Sequence, residues 1–240
     1  KKYINKYLSK DETVDFLLQD KTKYRIFDVL GPQNKWSTFN IENVNGYHPA
    51  KLASYNKLIN KLNSRGYTLW PTSILKMLNV KYIVMPYDDF THPSFEKVHS
   101  SNMYYFGSDN RYDGKKIPSF VYRFKDFYPR LFYTKKITNI YDKDIYSVIS
   151  DESFDPIENS FIDTDDEIIF DYDEKSKINI ISSSSNNIIF RTEASSKQFL
   201  VISEIFYPHG WTVNSGEKNH RIYKINGLLR GIVVPAGKHE

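Results

Sequence analysis

The sequence predicts an α+β protein, with an N-terminal mixed α/β layer over residues 1–117 and an antiparallel β-sandwich over 118–240. Two observations lead to this prediction. In the first part, apolar residues recur at every third or fourth position, as amphipathic helices require. From residue 119 onward they follow a period of two, in short segments separated by turn residues. At 240 residues, the chain is long enough for one large domain or two ordinary ones.

Helices and strands alternate in the predicted N-terminal part. Such alternation is typical of an α/β layer, so we expect the strand that contains Ile83 to lie beside the strand that contains Phe27. Asp, Pro and Gly residues are frequent between 87 and 118, which predicts a loop with at most one hairpin. The predicted elements are a weakly amphipathic helix within 1–22, a strand at 24–30, helices at 50–63 and 71–78, and a strand at 80–86.

Short strands follow one another in the predicted C-terminal part. Turn signals separate them every eight to twelve residues or so, which is the pattern of an antiparallel sandwich. Asn226 and Gly227 form the strongest of these signals, because both residues tolerate the positive φ of a tight hairpin turn. A short helix is predicted over 142–150. The predicted strands are 121–124, 130–134, 167–172, 177–182, 187–193, 198–205, 211–215, 220–225 and 228–234.

Composition excludes several classes of protein. Hydrophobic residues at 40% and charged residues at 26% exclude a disordered, collagen-like or coiled-coil chain. The net charge of +4 is spread along the chain and does not indicate a nucleic-acid partner. Because there is no Cys, disulfides, thiol catalysis and Cys-ligated zinc are excluded. Aromatic residues reach 16%, which indicates either ring-lined surfaces or the codon bias of an AT-rich genome.

The apolar runs are short, and the two ends of the chain suggest a fragment. The best runs, 199–202 and 231–234, are far below the roughly 18 residues that a membrane span requires. The chain starts at Lys1 without a Met and stops just after a turn at Pro235 that would lead into another strand. We therefore expect a piece of a longer protein, cut before a final strand.

The sequence predicts no catalytic residue, no metal site and no cofactor. It contains no nucleophile elbow, no phosphate-binding glycine loop, no dinucleotide fingerprint and no His-Glu-x-x-His motif. The six histidines are scattered, without a pair at helical ligand spacing. Two acidic clusters, Asp88-Asp89 and the group at 163–167, are interpreted as solvated turns, because neither has the convergent geometry of a hydrolase or the glycine of a calcium loop.

Two local clusters offer binding chemistry. Residues 207–211 read Tyr-Pro-His-Gly-Trp, and the exposed ring of Trp211 would stack on a sugar face, although burial of this ring in the sandwich core is the alternative. Residues 45–49 read Asn-Gly-Tyr-His-Pro just before a predicted helix, whose free N–H groups would attract an anion such as phosphate. A purely structural helix start is the alternative for this second cluster.

The order of several motifs resembles the extracytoplasmic C-terminal region of the bacterial YfhO family of integral membrane proteins. The resemblance covers nearly the whole chain. It departs from the family pattern only locally, at His209 and at the turn of Asn214, Ser215 and Gly216. The motifs that carry it are 24–28, 46–52 with Tyr55, 78–84, 129–132, 199–204 with 207–208 and 210–211, and 234–239.

This resemblance implies a parent protein with many transmembrane helices, at the extracytoplasmic face of the cell membrane. Such parents are similar to C-type glycosyltransferases, which use polyprenyl-phosphate-linked sugars and in some cases decorate lipoteichoic acid or other envelope glycans. Their catalytic acid lies in a loop between the first transmembrane helices, a region absent here. The chain is then expected to help bind a glycan or lipid-linked sugar acceptor and not to catalyse alone.

Four residues are candidates for that binding, and two other functions stay open. Tyr47 and His48 lie at the predicted helix start, Arg130 offers a planar fork for phosphate or carboxylate, and Trp211 offers a stacking ring. An ion pair of Arg130 with a nearby Asp is the alternative for that residue. The other functions are a free-standing carbohydrate-binding or adhesion module, and an independent hydrolase that uses the two acidic clusters.

Overall fold

Two compact units, Lys1–Pro129 and Arg130–Glu240, make up the computed structural model. The protein is of the α+β class, with 17% helix and 38% strand arranged in several sheets. The predicted division between 117 and 118 falls inside a strand of the first unit. The structure describes residues 5, 9–30, 34–46, 52–63, 71–106, 113–140, 144–207 and 209–240.

The N-terminal unit is built on one mixed sheet with the strand order β2-β1-β3-β5-β4. β1, β2 and β3 run parallel, while β5 is antiparallel to both β3 and β4. Phe27 pairs with Ile83, which confirms the predicted neighbourhood of these two strands. The elements are α1 (Glu12–Gln19), β1 (Arg25–Asp28), α2 (Lys35–Thr38), β2 (Glu42–Asn43), α3 (Ala53–Asn63), α4 (Thr72–Met77), β3 (Val80–Met85), β4 (Phe95–Tyr104) and β5 (Lys116–Phe124).

Local sequence signals explain where the helices of this unit begin and end. Asp11 caps α1, because its carboxylate accepts a hydrogen bond from the backbone N–H of Val14 at 3.0 Å. α4 begins directly after Pro71, and Asn79 adopts a φ of 57° just beyond its end. Apolar faces of these elements meet in one core, formed by Val14, Leu17, Ile26, Trp36, Ile41, Tyr82, Val84, Met103, Tyr105, Ile117 and Val121.

The β4–β5 hairpin corrects the prediction of mostly loop over 87–118. β4 is polar along most of its length and exposes many side chains, so its sequence carries no strong strand pattern. It forms because β5 pairs with it over nine positions, from Phe95 opposite Phe124 to Tyr104 opposite Lys116. Tertiary pairing therefore decides the structure of this segment.

The C-terminal unit contains three sheets. A six-stranded sheet has the order β6-β11-β15-β14-β8-β7, a three-stranded sheet the order β16-β10-β9, and β12 pairs with β13 alone. The elements are β6 (Leu131–Tyr133), β7 (Ile137–Asn139), α5 (Ile145–Ile149), β8 (Ser160–Ile162), β9 (Lys177–Ser183), β10 (Ile188–Ala194), β11 (Gln198–Ile205), β12 (Val213–Ser215), β13 (Lys218–His220), β14 (Tyr223–Ile225), β15 (Leu229–Val234) and β16 (Gly237–His239).

Three details of this unit differ from the prediction. β7 and β8 are parallel, so the pairing is not antiparallel throughout. Residues 167–172 form no strand. The carbonyl of Asp171 accepts from the side chains of Ser196 and Gln198, and its N–H donates to the carbonyl of Lys197. The turn at Pro235 leads into β16, which pairs with β10.

The turn at Asn226 and Gly227 has the predicted backbone geometry. Their φ angles are 51° and 70°, and the connection runs over three residues because Ile225 pairs with Leu229. Asn226 is fully buried, and its side-chain oxygen accepts from the backbone N–H of Phe161 at 2.8 Å. The side chain of Asn226 therefore connects the turn to β8 through this hydrogen bond.

Apolar side chains of the two larger sheets of the C-terminal unit share one core. Leu131, Tyr133, Leu200, Ile202, Ile232 and Val234 come from the six-stranded sheet, and they pack against Ile178, Ile180 and Phe190 of the three-stranded sheet. Within the described ranges, none of the helices has both the length and the apolar composition to cross a membrane.

Candidate ligand-binding site

A cavity of about 620 Å³ lies in the C-terminal unit, where the β12–β13 hairpin meets the two larger sheets. This volume falls within the range of roughly 300 to 1,000 Å³ that is usual for small-molecule sites. Six strands contribute to its wall, namely β10, β11, β12, β13, β15 and β16. Ile202 and Ile232 are among the apolar residues of the wall, and Asn187 and Asn214 are among the polar ones.

Trp211 and Arg230 form the aromatic and cationic wall of this cavity. The guanidinium carbon of Arg230 lies 4.0 Å from the centre of the Trp211 ring, which is a cation–π contact. Arg230 is only 6% exposed, and its Nε donates to the carbonyl of Ile205 at 2.9 Å. That carbonyl is in reach because the register of β11 against β15 shifts between Ile202 and Ile205.

The side chain of Trp211 lies in the wall of the cavity. Trp211 is half-buried and lines the cavity, and it is not among the residues that form the apolar core of this unit. The alternative of a core tryptophan therefore does not describe this residue. Its ring has the partly exposed position that stacking on a ligand requires.

Two histidines, His220 and His239, line the same cavity. His239 Nε2 lies 2.8 Å from the carbonyl oxygen of Ala236, and because a carbonyl only accepts, this nitrogen carries the proton. In the neutral ring Nδ1 then accepts from the hydroxyl of Ser215 at 3.4 Å. The pKa of His220 is lowered by burial first, and then by the charges of Lys218 and His239.

Thr192 adds a buried hydroxyl to the wall. It pairs with His239 across β10 and β16, and it is 2% exposed. Among the residues that the structure describes, its Oγ1 has no hydrogen-bond partner. A buried polar group without a partner costs about 1 to 3 kcal/mol, so this hydroxyl is a place where a bound polar group would be stabilised.

The wall of the cavity contains one cationic and one anionic residue. Of the formally charged residues in the wall, Arg230 is cationic and Glu240 is anionic. Glu240 forms an ion pair with Arg191 at 2.6 Å, so its carboxylate is already balanced. Lys218 lies close enough to His220 to lower the pKa of that ring.

Arg130 is placed away from this cavity. Its side chain is 1% exposed and forms an ion pair with Glu204 on β11, and the neighbouring Ser203 N–H donates to the Arg130 carbonyl at 2.8 Å. The alternative for Arg130 was an ion pair with a nearby Asp, and the pair found here is with a Glu. The guanidinium group of Arg130 therefore pairs with a carboxylate of the protein itself.

Tyr47 and His48, the other predicted binding residues, lie outside the described residues. The structure does describe Asn45 just before them, which is buried and donates from its side-chain amide to the carbonyl of Asp28 at 3.0 Å. The predicted anion site at this helix start therefore stays a prediction.

The acidic clusters form no group of metal ligands in the part of the chain that the structure describes. No group of three or more His, Asp or Glu side chains converges there as metal ligands would. Asp88 pairs with Lys97 at 2.5 Å, and Asp166 pairs with Arg221 at 2.6 Å. Each of these two carboxylates is therefore neutralised by a neighbouring cation.

Comparison of this chain with protein-family models, with curated proteins and with solved structures found no match.

Proposed function

We propose that this chain is an extracytoplasmic accessory domain of a multi-span bacterial membrane glycosyltransferase, and that its C-terminal unit is a β-sandwich that binds the acceptor glycan. The observation that carries the binding role is the cavity wall of Trp211 and Arg230. The membrane parent is supported by the ordered series of motifs that resembles the YfhO family.

The packing of the C-terminal unit supports the sandwich. Two sheets that bury their inner faces against each other form a common core, and in this unit Phe190 of β10 packs on the cluster that contains Leu200 of β11. Loops and hairpins then collect at the ends of the sheets, which is where ligand sites of sandwich domains are usually built. Residues of the β12–β13 hairpin contribute to the wall of the cavity.

The chemistry of the wall suits a sugar. A pyranose presents flat patches of C–H bonds, which stack on an indole ring, and hydroxyls that both donate and accept hydrogen bonds. The wall offers the ring of Trp211, the amides of Asn187 and Asn214, and the hydroxyl of Thr192. Such a site binds and orients a glycan, while the chemical step belongs to the parent enzyme.

A glycan array with the purified chain tests the binding role. We expect the wild-type chain to bind a subset of glycans and Trp211→Ala to lose at least tenfold in affinity, because stacking on the ring is removed. Tyr87→Ala is the matched control, since Tyr87 is an exposed ring in the N-terminal unit. Absence of any glycan binding, or equal binding by wild type and Trp211→Ala, would contradict the proposal.

Cell fractionation tests the membrane parent. An antibody against this domain should detect a protein well above 28.3 kDa that stays with the membranes after a high-salt wash. A band near 28.3 kDa in the soluble or secreted fraction would overturn this part. In that case the same cavity supports the second candidate function, a free-standing carbohydrate-binding module.

A further inference from the structure

We infer that the site binds a glycan chain of at least two sugars, and that Tyr207 holds the second sugar beside the one that stacks on Trp211. This inference deepens the proposed function and depends on glycan binding at the cavity. It assigns a binding task to Tyr207 and a positioning task to Gly210.

A smaller cavity adjoins the one described above. Its volume is about 250 Å³, and Trp211 and Arg230 belong to the walls of both cavities. Complete small-molecule sites usually have volumes of roughly 300 to 1,000 Å³, so the smaller cavity is below the size of an independent site. We therefore treat it as an extension of the larger cavity, which holds a further part of the same ligand.

The ring of Trp211 can stack on only one sugar. The guanidinium carbon of Arg230 lies over this ring, 4.0 Å from its centre, and so covers one of its two faces. The other face is the one available to a ligand. A second sugar of the same chain therefore needs a different ring.

Tyr207 supplies that second ring. It lines the smaller cavity, and it is 52% exposed, which makes it one of five large hydrophobic residues exposed in the described part of the chain. An exposed ring gains free energy when a flat apolar surface covers it. The C–H face of a pyranose is such a surface.

Gly210 determines where the Tyr207 ring lies. A Cβ at Gly210 would be only 2.6 Å from Cδ1 of this ring, so the ring packs directly on the glycine backbone. Gly210 is not among the glycines with positive φ, so the residue is needed here for space and not for backbone conformation. Because Gly210 lines the larger cavity, this contact places the Tyr207 ring next to both cavities.

The β12–β13 hairpin offers one amide to each cavity. Asn214 lies in the wall of the larger cavity and Asn219 in the wall of the smaller one, and the two residues are directly opposite each other in the antiparallel pair. Side chains of directly opposed residues are neighbours on one face of a sheet. Both residues are exposed, and their amides can donate to and accept from sugar hydroxyls. Each of two adjacent sugars therefore has a ring and an amide within its own cavity.

This arrangement predicts a preference for chain length. Once the first sugar is bound, the second is already held close to Tyr207, so its stacking adds affinity without a second loss of translational freedom. A third sugar has no further ring among the residues of the two walls, so it should add little.

Calorimetric titration of the intact chain tests the inference. The probes are glucose, galactose and N-acetylglucosamine, each as the monosaccharide, the β-linked disaccharide and the β-linked trisaccharide. In a series that binds, we expect the disaccharide to bind roughly tenfold or more tightly than the monosaccharide, and the trisaccharide to bind about as tightly as the disaccharide.

Variants assign the effect to residues. Tyr207→Ala should reduce the ratio of disaccharide to monosaccharide affinity toward one, whereas Trp211→Ala should weaken the binding of both. Tyr207→Phe keeps the ring and should retain the ratio. Tyr87→Ala, which removes an exposed ring of the N-terminal unit, is the control and should change neither affinity.

Gly210→Ala tests the positioning task. The added methyl should displace the Tyr207 ring and lower the same ratio, while thermal melts show that the variant is folded. Because Gly210 acts through Tyr207, the double variant Gly210→Ala with Tyr207→Ala should bind the disaccharide no more weakly than Tyr207→Ala alone.

The outcomes separate this inference from the proposed function. Equal affinity for a monosaccharide and its disaccharide, or an unchanged ratio in Tyr207→Ala, would overturn the inference and leave the proposed function intact. An additional loss in the double variant would overturn the task of Gly210. No binding by any member of the three series would overturn the inference, and an empty glycan array in addition would overturn the proposed function as well.

Discussion

The ammonium group of Lys35 lies 3.1 Å from the carboxylate of Asp11, and both side chains are only 1% exposed. The same ammonium donates to the carbonyl of Tyr104 at 2.7 Å, and the Asp11 carboxylate accepts from the backbone N–H groups of Val14 and Tyr104. Burial lowers the pKa of Lys35, and Asp11 opposes that change. One buried ion pair thus joins α1, α2 and β4.

Asp11→Ala should lower the free energy of unfolding by about 3 to 5 kcal/mol, because it leaves Lys35 buried without its counter-charge and removes the cap of α1. Urea unfolding followed by circular dichroism measures this loss. Asp88→Ala is the matched control, since it breaks an exposed Asp–Lys pair and should cost about 0 to 1 kcal/mol. Similar losses in both variants would show that burial of the pair is unimportant.

Glu204→Gln should destabilise the C-terminal unit by about 1 to 3 kcal/mol. The substitution keeps the shape of the side chain and removes the charge that faces the buried guanidinium of Arg130. The exposed pair of Arg123 and Glu96, at 2.6 Å, offers the control Glu96→Gln, for which we expect less than about 1 kcal/mol. A loss for Glu204→Gln as small as for the control would contradict this assignment.

Gly231→Ala should destabilise the protein by about 1 to 3 kcal/mol, because the added methyl has no room. A Cβ at this position would lie 2.5 Å from Cε1 of Phe199 and would also collide with Ile225. Gly46→Ala is the control, since its Cβ would meet only the Asn43 carbonyl at an ordinary 3.8 Å. Thermal melting compares the two, and an unchanged melting temperature for Gly231→Ala would refute the tight packing.

Asp20 should make stability depend on pH below about 4. Burial alone would raise the pKa of Asp20, but hydrogen bonds from Lys81, Thr22 and Tyr82 lower it from 3.8 to about 2. A carboxylate with a lowered pKa stabilises the fold above its unfolded value, and this contribution is lost as the pH falls from 3.8 toward 2. Because Asp20 is partly exposed, we expect about 1 to 2 kcal/mol.

The test for Asp20 is a set of urea titrations between pH 2 and 5. Asp20→Asn should flatten the fall in stability over that window, whereas Asp15→Asn, at an exposed position of the preceding helix α1, should leave it in place. If both variants retain the full pH dependence, another carboxylate is responsible.

Features that depend on a few neighbouring residues were predictable from the sequence. The turn at Asn226 and Gly227 has the expected positive φ angles, because turn chemistry is local. The segments 87–118 and 167–172 were not predictable in the same way. β4 becomes a strand through its partner β5, and residues 167–172 remain irregular although they alternate like a strand.

The candidate site was predictable only in part, since strands distant in sequence build it. Trp211 was found through its own Pro- and Gly-rich neighbourhood. Thr192, His220 and His239 meet only because β16 pairs with β10 and β12 pairs with β13, and no local pattern marks them. Arg230 did have a signal, because it is the one charged residue in the apolar run of β15.

The hairpin of β4 and β5 also sets an order for the assembly of the N-terminal sheet. Tyr105 forms backbone hydrogen bonds with Lys115 and Gly114, which are near neighbours in sequence. Phe27 and Ile83, which pair in the sheet, are much farther apart along the chain. The entropy lost on loop closure grows with the length of the loop. We therefore expect the hairpin to be the folding nucleus, and the parallel β1–β3 contact to close after the transition state.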